Sequence, residues 1–248
     1  MFSPSPSNNT IAIFGAPRSG STFALHNLVT GLITNHKEYN SEFNHKRLGS
    51  EPFRKRDRMQ ERNMEYWKSN LTSRWKLFPD SYWTAKFHLL DLMNAHQVGI
   101  IDEVLDKTHY KILLLRKNLW ESTLSMAISM KKNQWINNLD NKTISLTEEE
   151  FLRSLTIQVR NINHLWGDND FEIKYDQILF TEDLTDDPSD VYEKITGSRL
   201  VLENTVEKSP NKESVIINLD ELRSIYEQAD KHLHGKVTLE GDMVNYNE

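Results

Sequence analysis

IAIFGAPRSGSTF, residues 11–23, decides how the rest of the chain is read. Residues 11–15 are β-branched or apolar and end on Gly15. From Ser21 onward, apolar residues recur at Phe23, Leu25, Leu28, Val29 and Leu32, the spacing of one helix face. The stretch predicts a strand, a tight loop and a helix. The loop nearly spells the phosphate-binding pattern G-x-x-x-x-G-K-[ST], with Ser21 where the lysine belongs. Successive N–H groups of such a turn, with the positive end of the helix behind them, make a concave anion site. Gly15 and Gly20 allow the turn, and Ser21 and Thr22 bring hydroxyl donors to the helix start. Arg18 supplies the positive charge from inside the loop. A guanidinium placed there favours a forked grip on one compact oxyanion over a long triphosphate. The bland reading is a helix N-cap by Ser19 or Ser21.

Working outward, WTAKFHL (residues 83–89), YKILLL (110–115) and FEIKY (171–175) are further compact strand candidates. The second is apolar enough for a central parallel strand. Helical patterns run over residues 59–69, 90–106, 120–132, 147–166, 188–196 and 219–232. Strands alternating with helices predict one α/β domain spanning residues 1–248, a three-layer sandwich with a central mostly parallel sheet and a P-loop-like phosphate-binding loop. Residues 1–10 are expected as a frayed tail, and the Asn-rich residues 133–147 as a mobile surface loop.

Two further motifs bear on the loop. Directly after YKILLL comes RKNLWESTLS, residues 116–125, with two cations at the carboxyl end of a central strand and two serines on the next helix. Ligands of open α/β sheets bind at that edge. Arg116 or Lys117, with Ser122 or Ser125, could clamp a second phosphate; a solvated basic turn before an amphipathic helix is the alternative. In WTAKFHLL, alternation puts Lys86 and His88 on one face of a strand and Phe87 on the other. A cation beside an imidazole suits a site where a proton leaves an acceptor while negative charge builds elsewhere. A lone histidine is more often structural, and the pairing with Lys86 is what singles out His88.

Composition narrows the class of partner. The net charge of −6 opposes broad binding to nucleic acid or anionic lipid, which needs clustered Lys and Arg, so any basic site is local. Cysteine is absent, which excludes disulfides, thiolate metal ligands and cysteine nucleophiles and suits a reducing compartment. MFSPSPSNNT has no basic segment followed by an apolar run, and no window approaches the apolar length of a membrane span, so a cytoplasmic protein is expected.

Taken together, the motifs resemble those of the sulfotransferases that use 3′-phosphoadenosine 5′-phosphosulfate, PAPS. GAPRSGSTF (15–23) is similar to the 5′-phosphosulfate loop, RKNLWESTLS to the 3′-phosphate motif, and AKFHLL to the Lys-x-His-Leu segment of cytosolic members. IKYDQIL (173–179), then Leu184 and Asp187-Pro188, resembles the family's tyrosine-acidic-x-leucine segment and the acidic-proline step after it. The likeness runs in the family's order from residue 11 to about 197 and points to an outlying bacterial or phage-type member; Arg18 replaces the lysine of cytosolic members, as in bacterial and Golgi-type members. It implies that Arg18, Ser19, Gly20, Ser21 and Thr22 hold the 5′-phosphate, while Arg116 and Ser125 grip the 3′-phosphate. The family spaces its arginine and serine by eight residues. Ser125 stands nine after Arg116 and eight after Lys117, which leaves the clamp open between the two. The cytosolic Arg-Lys-Gly loop has only loose counterparts in Lys208 and Lys212.

The resemblance further implies in-line sulfuryl transfer from PAPS to a hydroxyl or amine of a small-molecule, sugar or lipid acceptor. Catalysis would come mainly from positioning and charge stabilisation. A sulfuryl group carries less negative charge than a phosphoryl group, so no metal is required. Two bases compete. His88 follows from Lys-x-His, and Glu42 in NSEFNH sits where bacterial trehalose-type members carry a Glu-Phe segment with the catalytic carboxylate. Lys86 or Arg18 would stabilise the leaving oxygen. An aromatic stretch at residues 64–83 and a basic run at 46–62 offer acceptor contacts, or else core and a solvated helix face. The rival readings are a P-loop-type phosphotransferase or NTPase, which needs the missing lysine and a strand-end aspartate for Mg²⁺, and a nucleotide-binding protein without catalysis.

Overall fold

The computed structural model describes residues 10–21, 24, 28, 83–97, 99–106, 108–132, 143–168, 170–184, 188–200, 212–235 and 237–246. Four parallel strands form its centre. They are β1 (Thr10–Gly15), β2 (Trp83–Phe87), β3 (Tyr110–Leu115) and β4 (Gln177–Phe180), in the order β2-β1-β3-β4. Every residue of β1 is buried, as is all of β3 except its half-buried Lys111, so both faces of the middle strands are covered. That explains their near-continuous apolar sequence.

Alternation sorts the strands' side chains onto two faces. Ile11, Ile13, Ile112, Leu114 and Leu179 face Ala24, Leu28, Tyr192 and Ile195. Ala24 and Leu28 are helical, and the other two lie on α5 (Pro188–Thr196). Ala12, Phe14, Phe87, Leu113 and Leu115 face α1 (Leu89–Gln97) and α2 (Ile101–Asp106), with Phe14 stacked on Phe87 at 5.4 Å. The chain is therefore mixed α/β, a four-stranded parallel sheet flanked by helices. A third core joins α3 (Leu119–Lys132), α4 (Glu148–Ile162), α6 (Leu219–Gln228) and a hairpin of β5 (Val237–Glu240) and β6 (Met243–Tyr246) around Trp120, Phe151 and Leu222.

Several expected boundaries move. The pattern over 90–106 is two helices, because Gly99 (φ +71°) closes α1 with Gly99 N–H to His96 C=O at 2.9 Å and Ile100 N–H to Ala95 C=O at 2.9 Å. This is a Schellman end, which needs a left-handed residue. The strand expected at 171–175 forms later, at Gln177–Phe180. Glu172 is left-handed (φ +51°), which breaks extension, and Ile173 reaches the core from irregular chain. The pattern over 147–166 is α4 followed by a π-helical turn, Asn163–Gly167, and α4 opens with a capping box between Thr147 and Glu150. Thr10, expected in the tail, belongs to β1, and its Oγ1 accepts from the His109 backbone N–H at 2.8 Å; residues 1–9 lie outside the described residues. The hairpin was not expected, although VTLEGDMVNY carries a Gly-Asp pair between two alternating runs. The helix expected at 59–69 and most of the loop expected at 133–147 lie outside the described residues.

Candidate functional site

All four parallel strands deliver chemistry to one edge. Beyond β1 lies Ala16 to Gly20, beyond β2 His88, beyond β3 Arg116 and Lys117, and beyond β4 Thr181 to Asp183. Among the described strands β1 connects onward to β2 on one side, while neighbouring β3 connects to β4 on the other. Adjacent strands whose connections diverge open a crevice at their carboxyl ends.

The loop after β1 is held from three directions. Ser19 N–H bonds Ala16 C=O at 3.1 Å, and Ala24 N–H bonds Gly20 C=O at 2.9 Å as the helix begins. Gln158 of α4 donates to the Pro17 carbonyl at 3.0 Å. Thr181 Oγ1 donates to the Ser19 carbonyl and lies 3.1 Å from the Leu115 carbonyl oxygen. Arg18 (φ +70°) and Gly20 (φ +78°) are both left-handed, a conformation that costs a residue with a Cβ about 1–2 kcal/mol. A Cβ on Gly15 would lie 2.7 Å from the Leu114 carbonyl oxygen and 2.8 Å from Ser19 Oγ, so the backbone closeness there admits only glycine.

Arg18 reaches across the crevice, and its Nε donates to Ser125 Oγ of α3 at 3.1 Å. The two motifs quoted from separate parts of the sequence thus meet. Burial, and then the nearby Arg116 charge, hold the Arg18 pKa below its ordinary value. Ser122, the other candidate on α3, turns back to the Leu119 carbonyl at 2.9 Å. Lys117 turns away as well. Its Nζ bonds both Asp183 carboxylate oxygens at 2.7 and 2.8 Å and lies 4.7 Å from the Phe180 ring centroid. Of the two cations beyond β3, Arg116 is the one whose charge bears on Arg18. Its guanidinium donates to Glu182 at 3.2 Å and Glu121 at 3.0 Å, and the Glu182 carboxylate also accepts from Lys117 N–H and Asn118 N–H.

His88 is buried beside the loop, and its Nδ1 lies 2.7 Å from the Gly15 carbonyl oxygen. A carbonyl only accepts, so Nδ1 carries the proton and, in the neutral ring, Nε2 carries the lone pair. Lys86, buried in β2, pairs in register with Ile13, which places it on the same face of the sheet as Ile13. Ser19 and Ser21 are buried at the helix start, and Ser19 Oγ has no hydrogen-bond partner among the described residues. Thr22, Glu42, Lys208 and the acceptor-side candidates at 46–62 and 64–82 lie outside the described residues.

Lys212, only a loose counterpart of the Arg-Lys-Gly loop in sequence, lies within the field of the same charges. Burial first, then the repulsion of Arg116 and Arg18, outweigh the attraction of Glu121 and Glu182 and push its pKa down to about 8. Gln158 and Thr181 were missed. For Gln158 the signal was a polar residue on the apolar stripe of Phe151, Leu155 and Ile162; Thr181 carries no signal until the sheet places it. No family model, curated protein or solved structure matches the chain.

Proposed function

We propose that the chain is a PAPS-dependent sulfotransferase, with its P-loop-like loop in a three-layer sandwich holding the donor. The observation that carries this reading is the Arg18 Nε to Ser125 Oγ bond, which joins the loop after β1 to the helix after β3 at a sheet switch point. The donor set fits a ligand with two separate anionic groups. Burial first, and neighbouring guanidinium charge second, disfavour the charged forms of Arg18 and Lys212, a cost that a bound polyanion relieves. Ser19 Oγ, buried and without a hydrogen-bond partner among the described residues, supports the same reading.

Arg18, Ser19, Gly20 and Ser21, with Thr22 next in sequence, hold the 5′-phosphate; Arg116 and Ser125, with Lys212, hold the 3′-phosphate. When bound, PAPS supplies the sulfuryl group and leaves as adenosine 3′,5′-bisphosphate. His88, kept in the Nδ1–H tautomer by Gly15, presents Nε2 to take the proton of an acceptor hydroxyl or amine; Glu42 is the competing base. Lys86 and Arg18 stabilise negative charge on the departing oxygen. Low charge on a sulfuryl group makes a metal unnecessary. The acceptor is a small molecule, sugar or lipid, and the protein works in the cytoplasm.

A thermal-shift titration with adenosine 3′,5′-bisphosphate beside Mg-ATP and adenosine 5′-monophosphate tests this. At a hundredfold excess over Kd, the bisphosphate should add about 2.7 kcal/mol to stability. Arg18→Ala and Arg116→Ala should reduce the shift, while His88→Ala should keep it and abolish turnover. A shift with Mg-ATP alone would establish a nucleoside-triphosphate enzyme instead.

A further inference from the structure

The Lys212 ammonium lies within the field of Arg116 and Arg18. Repulsion from Arg116 and Arg18 drives the flexible Lys212 stem toward water, so something must hold its backbone in place. Lys212 directly precedes a 3₁₀ turn, Glu213–Val215. On one side that turn is stitched to Ile144, with Ile144 N–H to Val215 C=O at 2.8 Å and Ile217 N–H to Ile144 C=O at 2.9 Å. On the other side the Trp120 indole Nε1–H donates to Glu213 Oε1 at 2.9 Å.

The indole is itself fixed. Trp120 is 2% exposed on α3, one residue before the Glu121 that binds Arg116. Its ring packs on Phe151 and Tyr226 at 5.5 and 5.2 Å between centroids. Arg223 lies 4.2 Å over it and is anchored by both Asp242 carboxylate oxygens at 2.8 Å. A rigid N–H thus aims at an exposed carboxylate, and the bond contributes more in direction than in energy.

We propose that Trp120 and Glu213 are a positioning pair that fixes the chain at Lys212 beside the first turn of α3, making the third cation of the anion site depend on the α6 and hairpin core. The ligand named here rests on the sulfotransferase reading; the positioning does not.

The test uses full-length Trp120→Phe, Glu213→Ala, Glu213→Gln, Lys212→Met and the Trp120→Phe/Lys212→Met double variant. Calorimetry measures adenosine 3′,5′-bisphosphate binding, and pH-dependent acylation read by mass spectrometry measures Lys212 without any ligand. Lys212→Met, Trp120→Phe and Glu213→Ala should each weaken binding about tenfold. The double variant should be no weaker than Lys212→Met, because the two changes remove one interaction. Glu213→Gln, which keeps the acceptor oxygen, should bind like the parent. In Trp120→Phe and Glu213→Ala the acylation midpoint of Lys212 should rise toward that of an ordinary lysine. Unchanged Kd with a lower melting temperature in Trp120→Phe would make the pair merely structural and overturn the proposal, as would multiplying effects in the double variant. If Trp120→Phe does not fold, the Glu213 variants decide. If the parent binds no bisphosphate, the donor reading fails alone, and an unchanged Lys212 midpoint in Glu213→Ala sinks the positioning.

Discussion

Lys212 shows how far a single side chain depends on its surroundings. Its ordinary value is 10.5 and its folded one about 8. Between those pH values the unfolded chain holds more protons than the folded one, so this group's contribution to stability rises with pH across the window. Below about pH 8 the burial of its charge weighs fully against the fold. Melting curves from pH 7 to 10.5 should therefore show the parent gaining on Lys212→Met as pH rises, and a constant difference would place the ammonium in open solvent. A bound phosphate reverses the balance by favouring the charged form. Bisphosphate binding should accordingly take up protons in this window and weaken above pH 8.

Among the elements, the loop after β1 shows sequence and fold in closest agreement. Its strand, its turn and the helical Ser21 and Ala24 stand where residues 11–23 predict them. The reason is local: β-branched residues, two glycines and an apolar helix face all favour the same states. Gly15 is required for a reason that alternation alone does not reveal, since its missing Cβ admits both the Leu114 carbonyl and Ser19 Oγ. Gly15→Ala should cost about 1–3 kcal/mol in urea unfolding, the range for overpacking, and should also weaken bisphosphate binding by displacing the loop. Unaltered stability would mean that β1 and β3 can part without loss. The fourth strand was legible only approximately. Residues 171–180 hold two apolar clusters, and the left-handed Glu172 selects the second.

At the scale of the molecule, the C-terminal hairpin supports the edge of the sheet from outside it. Leu119 N–H bonds Asp242 C=O at 2.9 Å, Val244 N–H bonds Lys117 C=O at 2.7 Å, and Tyr246 OH donates to the Arg116 carbonyl at 2.8 Å. Burial, reinforced by Glu182, holds the Tyr246 hydroxyl above its ordinary pKa, so it stays a donor. Val244, 2% exposed, anchors the hairpin in the third core. Val244→Ala should cost about 2 kcal/mol from lost burial and the cavity left, and should weaken bisphosphate binding by loosening the hairpin's hold on the chain at Arg116 and Lys117. Urea unfolding and calorimetry on the same variant check both halves. Among the described residues no helix is long and apolar enough to cross a membrane.

The sequence alone determined the α/β alternation, the buried middle strands, and the candidates at Arg18, Arg116 and His88, because each rests on a local pattern or a short motif. Only the tertiary structure decided which candidates meet. Ser125 rather than Ser122 bonds Arg18, Lys117 turns to Asp183, and Lys212 arrives from nearly a hundred residues beyond Arg116. Spacing along the chain gives the direction of a side chain within its own element. Which other element lies opposite depends on sheet order and on contacts such as that of Trp120 with Glu213, which no local pattern encodes.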